Sequence, residues 1–326
     1  MKKLLFTILF LSLAVPCFAK SPQYILFVRK GDLWKYDFGS KKEELFIKNA
    51  KSPACSKDRK KIAFVRDGNI WIADITGKNE VGITDFKTDN DLDSLEWFPS
   101  GESILFSRDE EYSLSYAGDD RKLNWPPGEI EQKNSCFATR SIWIFSLKDS
   151  SLTKFIGHTP GSLFDNIKLT EVDSPKWCPN SKEKILIFTR GGDIWLASIG
   201  SDGLVELDKE EARIAPVASL ADHYGASPAS YVANHLSWSP DGKKILYEIV
   251  RHNGSGTGDI YEIKPDGKGE KKIYSAENDC YPVYSPSGKK IAFIMSKCIY
   301  VLGKNKHPKL LIKDVDVEHF IWLFNK

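Results

Sequence analysis

The residues with the chemistry to act are scattered along the chain. Asp89, Asp91 and Asp93 alternate as in the first half of a calcium-binding loop, where carboxylates wrap a hard cation in oxygen. The glycine such a loop needs for its turn is here Ser94, and its distal glutamate is Ser100, so the stretch reads as a solvated acidic loop. Gly254 to Gly258 spells Gly-Ser-Gly-Thr-Gly but lacks the Lys-Ser/Thr ending and the following helix of a phosphate-cradling loop, and it reads as a hairpin connection. No Gly-x-Ser-x-Gly elbow, no His-Glu-x-x-His and no Cys-x-x-Cys occurs, which excludes the recognisable serine-hydrolase and zinc signatures. Asp222 beside His223 has the residue types of an acid-base pair, although chain neighbours seldom face each other and a surface-loop histidine is the simpler reading. Carboxylates that converge from distant segments leave no spacing signal. No catalytic residue, metal site or cofactor is therefore assigned, and binding rather than catalysis is the expectation.

The elements that must position these residues are short strands. Leu236 to Ile263 reads as three of them: an apolar strand ending at Trp238, a Ser-Pro-Asp-Gly turn, an apolar strand from Lys244 to Val250, a glycine-rich loop, and an aromatic strand around Tyr261. Pro240 fixes φ for the turn, Asp241 caps it, and Gly242 takes the left-handed conformation that reverses the chain. The same phrase recurs at Ser52 to Ile75, Ser94 to Arg108, Ser174 to Ile199 and Tyr281 to Leu302. A repeat of about 40 to 50 residues built from short strands denotes a propeller or an array.

Third-strand aromatics fall at Trp34, Trp71, Trp143, Trp195, Tyr261 and Tyr300, and first-strand residues at Cys55, Trp97, Trp177, Trp238, Tyr284 and Trp322. Both sets fit packing between neighbouring sheets. The opening unit lacks its first strand, and Val317 to Leu323 supplies a strand with nothing after it. The expectation is an all-β, six-bladed propeller of four-stranded antiparallel blades, its ring closed by the C-terminal strand.

Residues 1–19 pair Lys2 and Lys3 with an apolar run to Val15 and end on Ala19, the pattern of a cleaved secretory signal. The run is too short to span a bilayer, so no stable membrane insertion is expected. Residues 20–326 then form one domain, periplasmic or secreted in a bacterium and monomeric. The whole chain carries 46 basic and 44 acidic residues, and losing Lys2 and Lys3 balances it, which gives no electrostatic drive toward nucleic acid. Removing Cys17 leaves five of the six cysteines, an odd number for an oxidising compartment.

The repeat resembles the TolB-like propeller repeats, most clearly at Trp238 to Leu246, Tyr284 to Phe293 and Ser52 to Phe64, and the resemblance extends over essentially the whole mature chain. It implies the propeller fold and an envelope setting with protein partners. In the periplasmic member of that family a separate α/β domain precedes the propeller, and no counterpart is expected after the signal here. The repeats are also similar to the propellers of prolyl-oligopeptidase-type enzymes, without a hydrolase domain following.

In a blade the turns between strands two and three share a face with the connections between blades. Four insertions belong to that face: 109–140, 157–173, 208–235 and 251–258. They carry Tyr112, Tyr116, Trp125, Phe137, His158, Phe164, Asp222, His223, Tyr224, Tyr231 and His235, the polar-tipped rings that recognition surfaces favour. The expectation is a binding surface over blades three to five for a protein or envelope ligand, the alternative being a glycan- or peptide-processing enzyme that uses rim or channel carboxylates.

Overall fold

The computed structural model describes residues 23–86, 92–114, 135–156, 172–179, 184–199, 213–215, 231–251, 258–276, 280–303, 305, 307–316 and 319–324. Their strands form six four-stranded antiparallel sheets. Blade 1 contains β1 (Gln23–Arg29), β2 (Asp32–Asp37) and β3 (Lys42–Ile47); blade 2 contains β4 (Lys51–Cys55), β5 (Lys61–Arg66), β6 (Asn69–Asp74) and β7 (Val81–Gly82). Blade 3 is β8 (Leu92–Trp97), β9 (Ser103–Leu114), β10 (Ser135–Ser146) and β11 (Leu152–Ile156), and blade 4 is β12 (Val172–Trp177), β13 (Lys184–Arg190), β14 (Asp193–Ile199) and β15 (Arg213–Ala215). Blade 5 is β16 (Tyr231–Trp238), β17 (Ile245–Arg251), β18 (Gly258–Ile263) and β19 (Lys271–Ser275). Blade 6 is β20 (Val283–Tyr284), β21 (Ile291–Met295), β22 (Cys298–Leu302) and β23 (Pro308–Ile312), and β24 (Ile321–Phe324) returns to complete blade 1. The first strands touch in cyclic order, β4 to β8, β12, β16, β20, β24 and back to β4, and so enclose a central channel.

One pair of rings repeats six times. Opposite the third-strand aromatics on the second strands lie Phe27, Phe64, Phe106, Phe188, Tyr247 and Phe293, all fully buried. The apolar side chains collect in six clusters, each joining two neighbouring blades, so the core is a ring of seams. Stability in such an array comes from interfaces between units. Two arginines tighten the seams. Arg66 ends β5 and donates to the carbonyls of Lys48 (2.7 Å) and Asn49 (3.1 Å), where the chain leaves blade 1. It also lies 4.8 Å from the Trp71 ring centroid and pairs with Glu80 at 2.6 Å. Arg29 grips the carbonyls of Lys313 (2.6 Å) and Asp314 (2.9 Å) in the same way at the seam between blades 6 and 1.

The first-to-second-strand turns are built from the serine. The Lys244 and Lys290 N–H groups donate to Ser239 and Ser285 Oγ at 2.9 and 3.0 Å, and Gly242 and Gly288 take φ of 69° and 68°. Ring closure follows the sequence expectation: β24 pairs antiparallel with β1 from Gln23 opposite Phe324 to Leu26 opposite Ile321. The Asp316 N–H also donates to the Val28 carbonyl at 2.9 Å, and Asp316 Oδ2 accepts from the Gly31 N–H at 3.0 Å.

The insertion boundaries need correction. Residues 109–114 and 135–140 are not loop: the ladder of β9 and β10 continues for six pairs, from Asp109 opposite Arg140 to Leu114 opposite Ser135. Other second strands stop at their arginine, at Arg29, Arg66 and Arg190. Within 208–235, Arg213–Ala215 is the outer strand of blade 4, and Tyr231 and His235 belong to the inner strand of blade 5. Short apolar runs such as Arg-Ile-Ala carry too little periodicity to be recognised as strands.

Candidate binding site at the channel mouth

Each first strand starts on the face that carries the connections between blades and the second-to-third-strand turns. Four of these strands begin with the same defect. The register shifts between Lys51 and Ala54, Asp93 and Glu96, Asp173 and Lys176, and Asn234 and Ser237. Ser52, Ser94, Ser174 and His235 sit at these bulges with φ of 46°, 53°, 54° and 52°, a left-handed conformation that side chains seldom adopt. Each lies three residues before the first-strand residue of its blade, Cys55, Trp97, Trp177 or Trp238; Tyr281 and His319 lie likewise three before Tyr284 and Trp322 in blades 6 and 1.

A polar arc results. His235 Nδ1 is 2.5 Å from Oε2 of Glu248, which is fully buried on β17 and whose Oε1 accepts from the Cys280 N–H at 2.5 Å. The His235 ring centroid is 3.6 Å from that of Tyr281, which is 5.7 Å from that of His319. His319 Nδ1 lies 3.1 Å from Asp93 Oδ1, and the same carboxylate accepts from Ser52 Oγ at 2.5 Å. The arc thus crosses blades 5, 6, 1, 2 and 3. Burial alone would raise the Asp93 carboxyl, but the His319 charge and the hydrogen bonds from His319, Ser52 and the Ser94 N–H hold it well below the usual carboxylate range. Asp93 is therefore no solvated loop residue: the ladder carries it into the channel wall. At the equivalent place in blade 4, Asp173 accepts from Ser107 Oγ (2.5 Å) and from Arg140 Nη1 (3.1 Å), while Arg140 Nε is 2.9 Å from Asp109. Arg140 thereby ties the base of the β9–β10 arm to the channel mouth.

One layer deeper, Glu96 of β8 and Lys176 of β12 face each other at 3.4 Å. Desolvation raises the Glu96 carboxyl above its ordinary range despite the Lys176 charge and the Trp177 N–H. These side chains, with Trp177, Trp238, Trp322, His235, Tyr281 and His319, line a cavity of about 360 Å³. Cys55 takes the place of the first-strand aromatic in blade 2 and also lines it, and desolvation pushes its thiol up to about 12. Among the described residues no group of three or more His, Cys, Asp or Glu could hold a metal ion.

Of the sequence-derived candidates among the described residues, the structure brings only His235 into this site. Tyr112 and Phe137 are backbone partners in the ladder of the arm, and Tyr231 opens β16 opposite Arg251. Tyr116, Trp125, His158, Phe164, Asp222, His223 and Tyr224 lie outside the described residues. The sequence motifs missed Glu96, Lys176, Glu248, Tyr281 and His319, and read Asp93 only as part of a solvated acidic loop. The signal that places five of these six is register: Asp93 and Glu96 stand four and one residues before Trp97, Lys176 one before Trp177, Tyr281 three before Tyr284 and His319 three before Trp322.

A channel ringed by first strands, closed by the last strand of the chain and polar at one mouth, defines a TolB-like six-bladed β-propeller fold. No protein-family model matches the sequence, and no curated protein matches it. Among solved structures, TolB from Acinetobacter baumannii is similar over 93% of this chain and 66% of its own, just under two thirds of that protein's length, at 17% identity and a TM-score of 0.55. A TolB-type structure from Agrobacterium tumefaciens is similar over 94% of this chain and 91% of its own, at 13% identity and a TM-score of 0.53. A chain of a nidogen/laminin complex is similar over 92% and 98%, at 8% identity and a TM-score of 0.56. At these identities the likeness is one of fold.

Proposed function

We propose that the chain is an exported, noncatalytic propeller that binds a protein or an envelope ligand through the face over blades 3 to 5. The observation that carries this reading is the arm: β9 and β10 run six pairs beyond the blade on that face, and Arg140 fixes their base to Asp173 at the channel mouth. Ordered, anchored protrusions beside a polar recess suit recognition, since rigid scaffolds present binding groups at low entropic cost. The signal-like residues 1–19 and the likeness of fold to TolB support an envelope location.

The test is capture from an envelope extract with the mature protein, compared with two variants. One joins Arg108 to Ser141 by a short turn and so lacks the arm. The other reverses charge at Lys57, Lys243 and Lys289, which are exposed on the opposite face. The arm-trimmed protein is expected to lose the captured partner and the charge-reversed one to keep it; the opposite pattern would show that the wrong face was chosen. A second reading, an enzyme working in the channel, is favoured by one observation: Asp93 and Glu96 are displaced in opposite directions, the separation of roles that acid-base catalysis uses. Glycan or peptide turnover that is abolished by Glu96→Gln would establish it.

A further inference from the structure

We infer that the channel is a ligand site in its own right and takes a short, uncharged saccharide of one or two residues, entering at the mouth that His235, Tyr281 and His319 surround. This rests on the reading that the arm-bearing face is the recognition face, and it names a chemistry for the recess at its centre. The cavity of about 360 Å³ falls at the small end of ligand pockets, which run from about 300 to 1,000 Å³.

Charge decides against most ligand classes. Glu96 faces Lys176 at 3.4 Å, His319 faces Asp93 at 3.1 Å and His235 faces Glu248 at 2.5 Å. A charged ligand would have to separate one of these pairs and leave its partner alone in a low-dielectric recess, which is costly. An apolar ligand would strip water from the same heads and return no hydrogen bond. A polyhydroxylated, neutral ligand meets neither penalty.

The remaining valences suit hydroxyl groups. With Nδ1 of each imidazole turned to a carboxylate, Nε2 of His235 and of His319 has no partner among the described residues. That nitrogen accepts a proton when the ring is neutral and donates one when it is charged, and a hydroxyl can take either part. Tyr281 offers a ring at the entrance against which the C–H face of a pyranose can pack.

The experiment is saturation-transfer NMR and calorimetry on the mature protein with methyl glucoside, methyl N-acetylglucosaminide, cellobiose and maltose, alongside glucuronate and glucosamine as charged counterparts. At least one neutral sugar is expected to bind with Kd below about 1 mM, about tenfold or more tighter than the charged sugars. Tyr281→Ala should weaken it by at least about tenfold while Tyr281→Phe, which keeps the ring, stays within about threefold. Glu96→Gln should shift preference toward glucuronate, because Lys176 then lacks its counter-charge. No binding by any neutral sugar, tighter binding of a charged one, or an unchanged affinity in Tyr281→Ala would overturn the inference. The arm-trimmed protein separates this from the proposed function. If it binds sugar and loses the captured partner, both readings stand, whereas failure of the untrimmed protein to bind sugar while it still captures the partner removes only the channel ligand.

Discussion

Removing the closing strand tests whether the ring depends on the meeting of its ends. Phe320 and Trp322 are 3% and 6% exposed, and both pack in the seam that holds Ile25 and Phe27 of blade 1 and Ile294 and Ile299 of blade 6. Cutting either ring back to alanine costs about 3–5 kcal/mol, and losing both approaches the roughly 5–15 kcal/mol total stability of a folded domain. Deletion of residues 319–326 also strips β1 of its ladder partner and bares an apolar edge. That truncated chain is expected to aggregate and not to give a monomer with a cooperative melt. The single change Trp322→Ala should lose about 3–5 kcal/mol, or roughly 6–20 °C of Tm at about 2–4 °C per kcal/mol. Trp322→Phe should cost much less, because its Nε1 has no acceptor to lose. Trp97→Phe is the contrasting case: its Nε1 donates to the buried Ala54 carbonyl at 3.1 Å, so about 1–3 kcal/mol is added for the acceptor left unpaired. Calorimetric and urea melts with size-exclusion chromatography measure all four proteins. A truncated protein that stays monomeric and melts like the native one would refute closure by β24.

Three further outcomes follow from single contacts. Arg66→Ala removes two carbonyl bonds, the Trp71 contact and the Glu80 pair, and should destabilise by about 2–3 kcal/mol in a urea melt, with Arg66→Lys restoring less than half because an ammonium cannot span both carbonyls. Asp93 has a folded pKa below its unfolded value of about 3.9, so it stabilises the fold above that pH and its contribution fades as pH falls through the acid range; Asp93→Asn should melt lower at pH 7, by a margin that narrows steadily once pH falls below about 4. With its thiol pushed up to about 12, Cys55 should resist iodoacetamide at pH 8 in the native protein and react once urea unfolds it, as followed by mass spectrometry of the labelled peptide.

The fold was legible because the same local problem is solved six times. A second-strand phenylalanine or tyrosine opposite a third-strand aromatic, followed by a turn, leaves a periodic trace that a single sequence displays. Closure could be read from an imbalance, a first unit lacking one strand and a last segment supplying one. The outer strands were harder to place. β7 is Val81–Gly82, where Gly82 lies against the Trp71 ring, and a two-residue strand has no period to detect.

The site was illegible for a related reason. Its residues occupy positions that the repeat leaves chemically free: the bulge at the start of each first strand requires a conformation and does not require a side chain, so serine fills it in three blades and histidine in one. Asp93 and His319 are far apart in sequence yet hydrogen-bonded, because a ring turns sequence distance into an angle around the channel, and only blade 2 separates blades 1 and 3. Asp89, Asp91 and Asp93 drew notice for their alternation, whereas what gives Asp93 its role is its place four residues before Trp97, shared with Asp173 before Trp177. In a propeller, then, chemistry is found by stacking the repeats first and asking where equivalent positions differ. His235, Tyr281 and His319 differ from the serines of blades 2 to 4 at the same rung, which makes the mouth two-sided: rings over blades 5, 6 and 1, and hydroxyls with the anchored arm over blades 2, 3 and 4. A ligand seated between those halves contacts both, and that asymmetry orients it in the channel.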